Sequence, residues 1–395
     1  MNEIYLDHAA TTKLDERVLQ KMMSYFTEYY GNANSQHGMG RDAQKAVDEA
    51  RDEIAKLIGA QPNEIYFTSG GTEADNWVLR GICKALSHKG KHIITTKIEH
   101  AAMLSTAKEL EKEGYEFTFL NVDNEGFVDL AELEKSIRPD TILVSCMYAN
   151  NEIGTIEPIK KIAEIAHAHG VLCHTDAVQA MGAMRINVRD LGVDMMSFSA
   201  HKFNGPKGMG ALFIKTGVPV GRLISGGHQE RTRRGGTTNV PGVVGFAEAL
   251  RLTYETLDED VKHVAALRDR FVKRVLEEVP YVKFNGPKDM TKRLPNNADF
   301  SFEYIEGESI LFSLDLAGIA VSSGSACSSG SLEPSHVLLA IGVPEELAHG
   351  SIRFTFGKEN TEEEVDYTVE KIKETVERLR KMSPLFKLDG TLKEV

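Results

Sequence analysis

Cysteine is scarce: Cys83, Cys146, Cys173 and Cys327 are the four in a chain of 395 residues. So few in so long a chain make no disulfide framework, and no Cys-x-x-Cys pair exists to suggest zinc. His167 and His169 stand two apart on a stretch that reads as helix, so they point to different faces and no metal site is expected. No apolar run is long enough to span a bilayer. The opening Met1-Asn2-Glu3-Ile4-Tyr5 has neither the basic nor the apolar region of a secretory signal, so a cytoplasmic protein with no membrane partner is expected. Positive charge is also short. A net charge of −12 lacks the basic footprint of non-specific nucleic-acid binding, so no direct nucleic-acid partner is expected. One basic cluster remains, Arg231, Arg233 and Arg234, which reads as a solvated turn or as a phosphate-facing loop.

What is present is the composition of a globular enzyme, 42% apolar and 26% charged. The length favours two domains. From Ile65 to Lys202, short apolar runs alternate with helical patterns. Ile65-Tyr66-Phe67 breaks at Ser69-Gly70-Gly71, and further runs are Ile93-Ile94-Thr95, Ile142-Leu143-Val144 and Val171-Leu172-Cys173. Pro158 suits the first turn of a helix carrying Ile159, Ile162, Ala163 and Ala166, and Gly170 suits its stop. This alternation predicts an α/β fold with a mostly parallel sheet and helices on both faces. Past about Pro241 the pattern changes. A long amphipathic helix through Val261, Val264, Leu267, Phe271 and Val275 precedes short alternating runs and a final helix through Val365, Val369, Ile372, Val376 and Leu379. This reads as a smaller α+β domain. No Gly-, Ser- or Pro-rich tether divides the two, and no internal repeat or low-complexity segment is found.

Two short words carry the chemistry. His174-Thr175-Asp176-Ala177-Val178-Gln179 and Ser197-Phe198-Ser199-Ala200-His201-Lys202 each close a strand-like run. Open α/β sheets bind ligands in the crevice outside the carboxyl ends of their strands, so Asp176 and Lys202 are expected to face one pocket. Their bland reading is a buried salt bridge, but buried lysines are rare and costly unless paired or functional. A lysine there can form an imine with an aldehyde cofactor, and a carboxylate can keep a pyridine nitrogen protonated. Pyridoxal phosphate (PLP) needs both groups. Gly70-Gly71-Thr72, where a strand turns into a helix, suits a phosphate or an ordinary turn. Cys83, Cys146 and Cys173 read as small core residues. Cys327 lies among small polar residues, Ser322-Ser323-Gly324-Ser325-Ala326-Cys327-Ser328-Ser329-Gly330-Ser331, whose composition predicts a mobile loop. Arg353, on a strand-like run near the end, reads as a surface arginine or as a grip for a carboxylate.

The two words resemble those of fold-type I PLP enzymes of the cysteine desulfurase family (NifS/IscS-like, in the class-V aminotransferases). The resemblance runs nearly end to end. It includes Tyr5-Leu6-Asp7-His8-Ala9-Ala10-Thr11-Thr12, Phe67-Thr68-Ser69-Gly70-Gly71-Thr72-Glu73, Tyr148-Ala149-Asn150-Asn151-Glu152, the Cys327 word of the long-loop subgroup and Ser351-Ile352-Arg353. Asn32-Ala33-Asn34-Ser35 departs from the Asn-Pro-Ser-Ser-type word usual at its place, so no contact is assigned to Asn34.

The resemblance implies a large PLP-binding domain, residues 15–255, built on a seven-stranded sheet. A small domain of residues 1–14 and 256–395 would carry the cysteine loop. It implies that Gly71, Thr72, Ser199 and His201 hold the phosphate and that Thr237 reaches the site of a second subunit in a homodimer with shared sites. His100 would stack on the pyridine and move protons, and Gln179 would donate to the ring hydroxyl oxygen. Asn150 would meet that oxygen or the substrate carboxylate, and Arg353 would bind the carboxylate. Lys202 would take the α-proton. The Cys327 thiolate would attack the sulfur of L-cysteine, keeping it as a persulfide while alanine leaves. The sulfur would pass to an iron–sulfur scaffold protein or another acceptor such as a tRNA-thiolation carrier. An aminotransferase, a β-lyase releasing sulfide, a selenocysteine lyase and a non-catalytic sulfur carrier are the competing readings.

Overall fold

The computed structural model describes residues 3–323, 333–383 and 386. Strand β1 (Ile4–Tyr5) is followed by β2 (Ile65–Thr68), β3 (His92–Thr96), β4 (Glu116–Leu120), β5 (Thr141–Ser145), β6 (Leu172–Asp176), β7 (Met195–Ser199) and β8 (Gly210–Ile214). The last seven form one sheet in the order β2-β8-β7-β6-β5-β3-β4. It is mostly parallel. Only β8 runs against its neighbours β7 and β2. The ten residues between β7 and β8 are too few for the crossover that a parallel pair needs.

Successive side chains of a strand point to opposite faces, and the pair Met195-Met196 shows the result. Met196 joins a core with Phe213, Ile54 and Val243, whereas Met195 joins Trp77, Val78 and Leu212 on the other face. Both faces are therefore covered, as parallel sheets require.

A second core lies on an antiparallel sheet of β9 (Val282–Asn285), β10 (Asn297–Phe302), β12 (Ser322–Ser323) and β13 (Ser351–Thr355), in the order β12-β13-β10-β9. Phe271, Phe300, Phe354 and Phe356 fill it together with Val365, Val369 and Ile372 of helix Glu362–Met382. The N-terminal segment belongs here: β1 pairs in parallel with β11 (Ile319–Ala320), and Ile4 and Leu6 enter the same core.

The long helix is longer than its periodicity suggests. It runs unbroken over Val240–Glu278, with its first half in the large core and Val264, Leu267, Phe271 and Val275 in the second. The 255/256 boundary thus falls inside a helix. Pro158 stands one position ahead of helix Ile159–Ala168, not within its first turn, because its ψ of 60° is non-helical. Among the described residues, no helix is long and apolar enough to cross a membrane, and no group of three His, Cys, Asp or Glu is placed to hold a metal.

Candidate active site

The carboxyl ends of β2, β3, β5, β6 and β7 open on one cavity of about 340 Å³. Asp176 is the last residue of β6. Lys202 ends the short 3-10 turn Ala200–Lys202 that follows β7. Both line the cavity, together with Gly71, Thr72, His100, Gln179, Ser199, His201 and Arg353. Gly71, Thr72, Ser199 and His201 also line an adjoining space of about 370 Å³ at the start of helix Gly71–Leu86. There the free backbone N–H groups and the helix dipole favour an anion. Gly71 is required by space: a Cβ would lie 2.6 Å from Val178 Cγ2.

Burial pushes the Asp176 carboxyl up from the ordinary range, against the pull of the Val178 N–H, His100 and Lys202. Val178 N–H donates to its Oδ1 at 2.9 Å. Lys202 Nζ donates to the carbonyls of Ala9 and, at 2.8 Å, Ala10. The N-terminal segment therefore forms one wall. Gln179 Nε2 donates to Ala9 O at 2.9 Å. His100 Nδ1 accepts from Ala102 N–H at 3.1 Å, which caps helix Ala101–Lys112, and burial holds its ring below the usual histidine value. His201 Nδ1 and Thr11 Oγ1 share a hydrogen bond of 3.1 Å, and burial beside Lys202 and Lys207 pushes His201 down to about 4. Ser199 Oγ leans toward Met209 O at 3.5 Å.

Arg353, in the middle of β13, brings the second core to the same cavity. Its guanidinium donates to Asn151 O at 3.1 Å and to Asp7 Oδ1 at 2.9 Å. It is not a surface arginine: only 4% of its side chain is exposed.

One expectation changes. Asn150 does not face the cavity. Its Nδ2 donates to Ile98 O at 3.0 Å, and its Oδ1 accepts from Glu152 and Ile153 N–H at 2.8 and 2.9 Å, so the amide holds its own turn together. The neighbouring Asn151 lines the cavity instead. Thr237 is exposed and lines neither space in its own chain. Within its own chain the arginine cluster packs against protein groups. Arg231 lies 4.2 Å over the Tyr66 ring and donates to Ile65 O, Arg233 stacks on the same ring, and Arg234 pairs with Glu73 at 2.8 Å.

Cys327 lies outside the described residues. Of the described residues flanking 324–332, Ser322 is at the cavity. It pairs in register with Arg353. Ser335 Oγ donates to Glu152, and His336 Nε2 meets Glu99 O at 3.0 Å. Cys83, Cys146 and Cys173 are buried, and burial pushes their thiols well above the usual range.

The sequence reading missed Asp75, Thr11 and Lys207. Asp75 shares a helix face with Gly71 and Val78, where an acid amid apolar residues was the available signal. Thr11 and Lys207 line the anion space, and Lys207 supplies a cation there.

This donor set fits pyridoxal phosphate: a buried carboxylate for its ring nitrogen, an amine for its aldehyde, a helix N-terminus cradle for its phosphate. The aminotransferase class-V family model matches residues 4–368. The "Cysteine desulfurase IscS" of Dictyoglomus turgidum is 53% identical over 382 residues, covering 97% of this chain and 96% of that protein. A solved "NifS-like protein" superposes with a TM-score of 0.90 at 43% identity, over 95% of this chain and all of the other. A structure titled "SspA in complex with cysteine" reaches a TM-score of 0.79 at 32% identity, over 91% of this chain and all of the other. With a cavity floored by Asp176 and Lys202 at the carboxyl ends of such a sheet, the chain belongs to the class-V aminotransferases, in the pyridoxal-phosphate-dependent cysteine desulfurase family.

Proposed function

We propose that this enzyme converts L-cysteine to L-alanine and retains the sulfur on Cys327 as a persulfide. The observation that carries the reading is the meeting of Lys202, Asp176 and Arg353 in one cavity beside a helix N-terminus. Pyridoxal phosphate supplies an electron sink that lets the α-proton leave and the carbon–sulfur bond break. Asp176 would keep a proton on the ring nitrogen. Gly71, Thr72, Ser199 and His201 would hold the phosphate, His100, its pKa lowered by burial, would stack on the ring, and Gln179 would donate to the ring hydroxyl oxygen. Asn151, which faces the cavity, takes the place expected of Asn150.

Lys202 Nζ would hold the cofactor's aldehyde and is the amine placed to take the substrate's α-proton. Arg353 binds the substrate carboxylate as a planar, two-pronged donor. The Cys327 thiolate attacks the substrate sulfur, forming a sulfur–sulfur bond as the carbon–sulfur bond breaks, and the protonated carbon skeleton leaves as alanine. The complex of SspA with cysteine is consistent with this substrate. An iron–sulfur scaffold protein is the proposed acceptor, with a tRNA-thiolation carrier as a second.

The working unit is a homodimer in the cytoplasm. Leu19, Met23 and Phe26 are 42%, 50% and 55% exposed on one face of helix Glu16–Thr27, and Tyr29, Tyr30 and Met39 continue that apolar patch. A patch of this kind marks an interaction surface. The exposed Thr237 is free to reach a second subunit's phosphate. The two cores serve as domains, residues 15–255 and residues 1–14 with 256–395.

The test is incubation of the holoenzyme with L-cysteine, with assay of alanine and mass spectrometry of Cys327. Alanine with one added sulfur on Cys327 is expected. Sulfide release at an undiminished rate from a Cys327→Ala variant would replace this reading with a β-lyase.

A further inference from the structure

A second acid stands beside Asp176 in the cavity floor. Asp75 is 1% exposed, lines the same cavity, and comes from helix Gly71–Leu86, whereas Asp176 comes from β6. Two ionised carboxylates in one buried site repel strongly, and one of them keeps its proton.

The surroundings select which. Asp176 has the Val178 N–H on its Oδ1, with Lys202 and His100 facing it. Asp75 has no such support, and its Oδ1 has no hydrogen-bond partner. The groups facing it are the Ser197 hydroxyl of β7, His174 and Asp176 of β6, and Glu99 from the turn after β3. Only Ser197 favours its charged form. His174 Nε2 is 3.9 Å from Asp75 Oδ1 and engages Ser197 Oγ at 3.0 Å, while its Nδ1 meets Ser145 Oγ at 2.8 Å. Burial pushes that imidazole down to about 3, so it is neutral and offers Asp75 no counter-charge. An ionised carboxylate with an orphaned oxygen at such a place is costly.

We propose that Asp75 is a positioning residue whose carboxyl carries a proton, so that the cavity floor presents one negative charge, on Asp176, in place of two. The neutral carboxyl braces Ser197, and through it His174, beneath Asp176. All the negative charge then falls at the residue that faces a ring nitrogen. This rests on the pyridoxal phosphate reading.

The test is infrared difference spectroscopy of holoenzyme with carbon-13 in its aspartate carboxyls, wild type minus Asp75→Asn. It is run at about pH 8.5, above the value of about 7 to which burial pushes Asp299. A protonated-carboxyl stretch that the asparagine removes is expected, and carboxylate bands alone overturn the proposal. In parallel, the pH at which the visible band of the bound cofactor titrates should differ by less than about 0.3 units in the variant; a fall of about 1 unit or more shows that Asp75 carried charge and overturns it. Should Asp75→Asn fail to fold, the wild-type spectrum decides, because the absence of any protonated aspartate at that pH overturns the proposal. Failure of a visible band to form on adding pyridoxal phosphate sinks the cofactor reading instead, and the infrared band still reports Asp75 in that protein.

Discussion

Arg353 donates to Asp7 Oδ1 at 2.9 Å, which ties the cation of the second core to the N-terminal wall of the cavity. The guanidinium is held in place before any carboxylate reaches it. Arg353→Lys keeps the charge and loses the planar fork, so KM for L-cysteine should rise about 10- to 100-fold. Asp7→Asn loosens the same guanidinium, so KM should rise up to about tenfold with kcat within about twofold. Steady-state alanine formation checks both; an unchanged KM in Arg353→Lys removes Arg353 from the substrate site.

Gly71 tests the phosphate cradle. Gly71→Ala places a Cβ 2.6 Å from Val178 Cγ2, so either the Val178 side chain or the start of the helix must shift. PLP affinity, read from the visible absorbance, should fall at least about tenfold, or about 1.4 kcal/mol. The obstacle is the end of a side chain, so Val178→Ala in the same protein should restore much of the loss. A double variant as weak as the single one places the phosphate elsewhere.

The apolar patch should control assembly. Leu19→Glu with Phe26→Glu alters only exposed side chains, so the fold should stay intact while the sedimenting mass halves. PLP affinity should fall in the monomer, because Thr237 lines no phosphate space in its own chain. A mass unchanged by both substitutions moves the interface to another face.

Buried acids give stability an unusual pH dependence. Burial pushes Glu99 and Glu157 up to about 8 and Glu152 up to about 6. A carboxyl raised in the folded state binds more protons there than in the unfolded chain. Its contribution therefore falls as pH rises from the ordinary glutamate value to the folded value and is level beyond it. Glu157 accepts from Val128 N–H through Oε2, while its Oε1 has no partner. Glu157→Gln keeps that acceptor, so it should flatten the decline between about pH 5 and pH 8 by an amount on the order of 1 kcal/mol. Thermal melts across that range check it, and parallel curves for the two proteins contradict it.

Cys327→Ala separates cofactor from sulfur chemistry. The variant should keep the visible band and lose both persulfide and sulfur transfer, because the nucleophile has to be a thiolate. Transfer that persists moves the persulfide to another residue.

Much of this site was legible because strands end where chemistry begins. The run before Asp176 stops at that residue and the run before Lys202 stops three residues short of it, and an open α/β sheet gathers such stops in one crevice. Other features depend on tertiary contacts. Asn150 and Asn151 are the same residue type in one turn, and only the hydrogen-bond partners decide which faces inward. Gly242 and Gly245 hid the start of the long helix. They are there for packing: a Cβ on Gly245 would sit 2.4 Å from Met22 Sδ, so glycine lets helix Glu16–Thr27 come close. The direction of β8 was readable from its short connection to β7, a signal that its apolar content masks.

The 39-residue helix Val240–Glu278 is a rod roughly 58 Å long at 1.5 Å per residue. Each core grips one half of it. A hinge that swung Arg353 away from Lys202 would have to bend this rod against its own hydrogen-bond ladder, so substrate has to enter between two bodies whose spacing is already set.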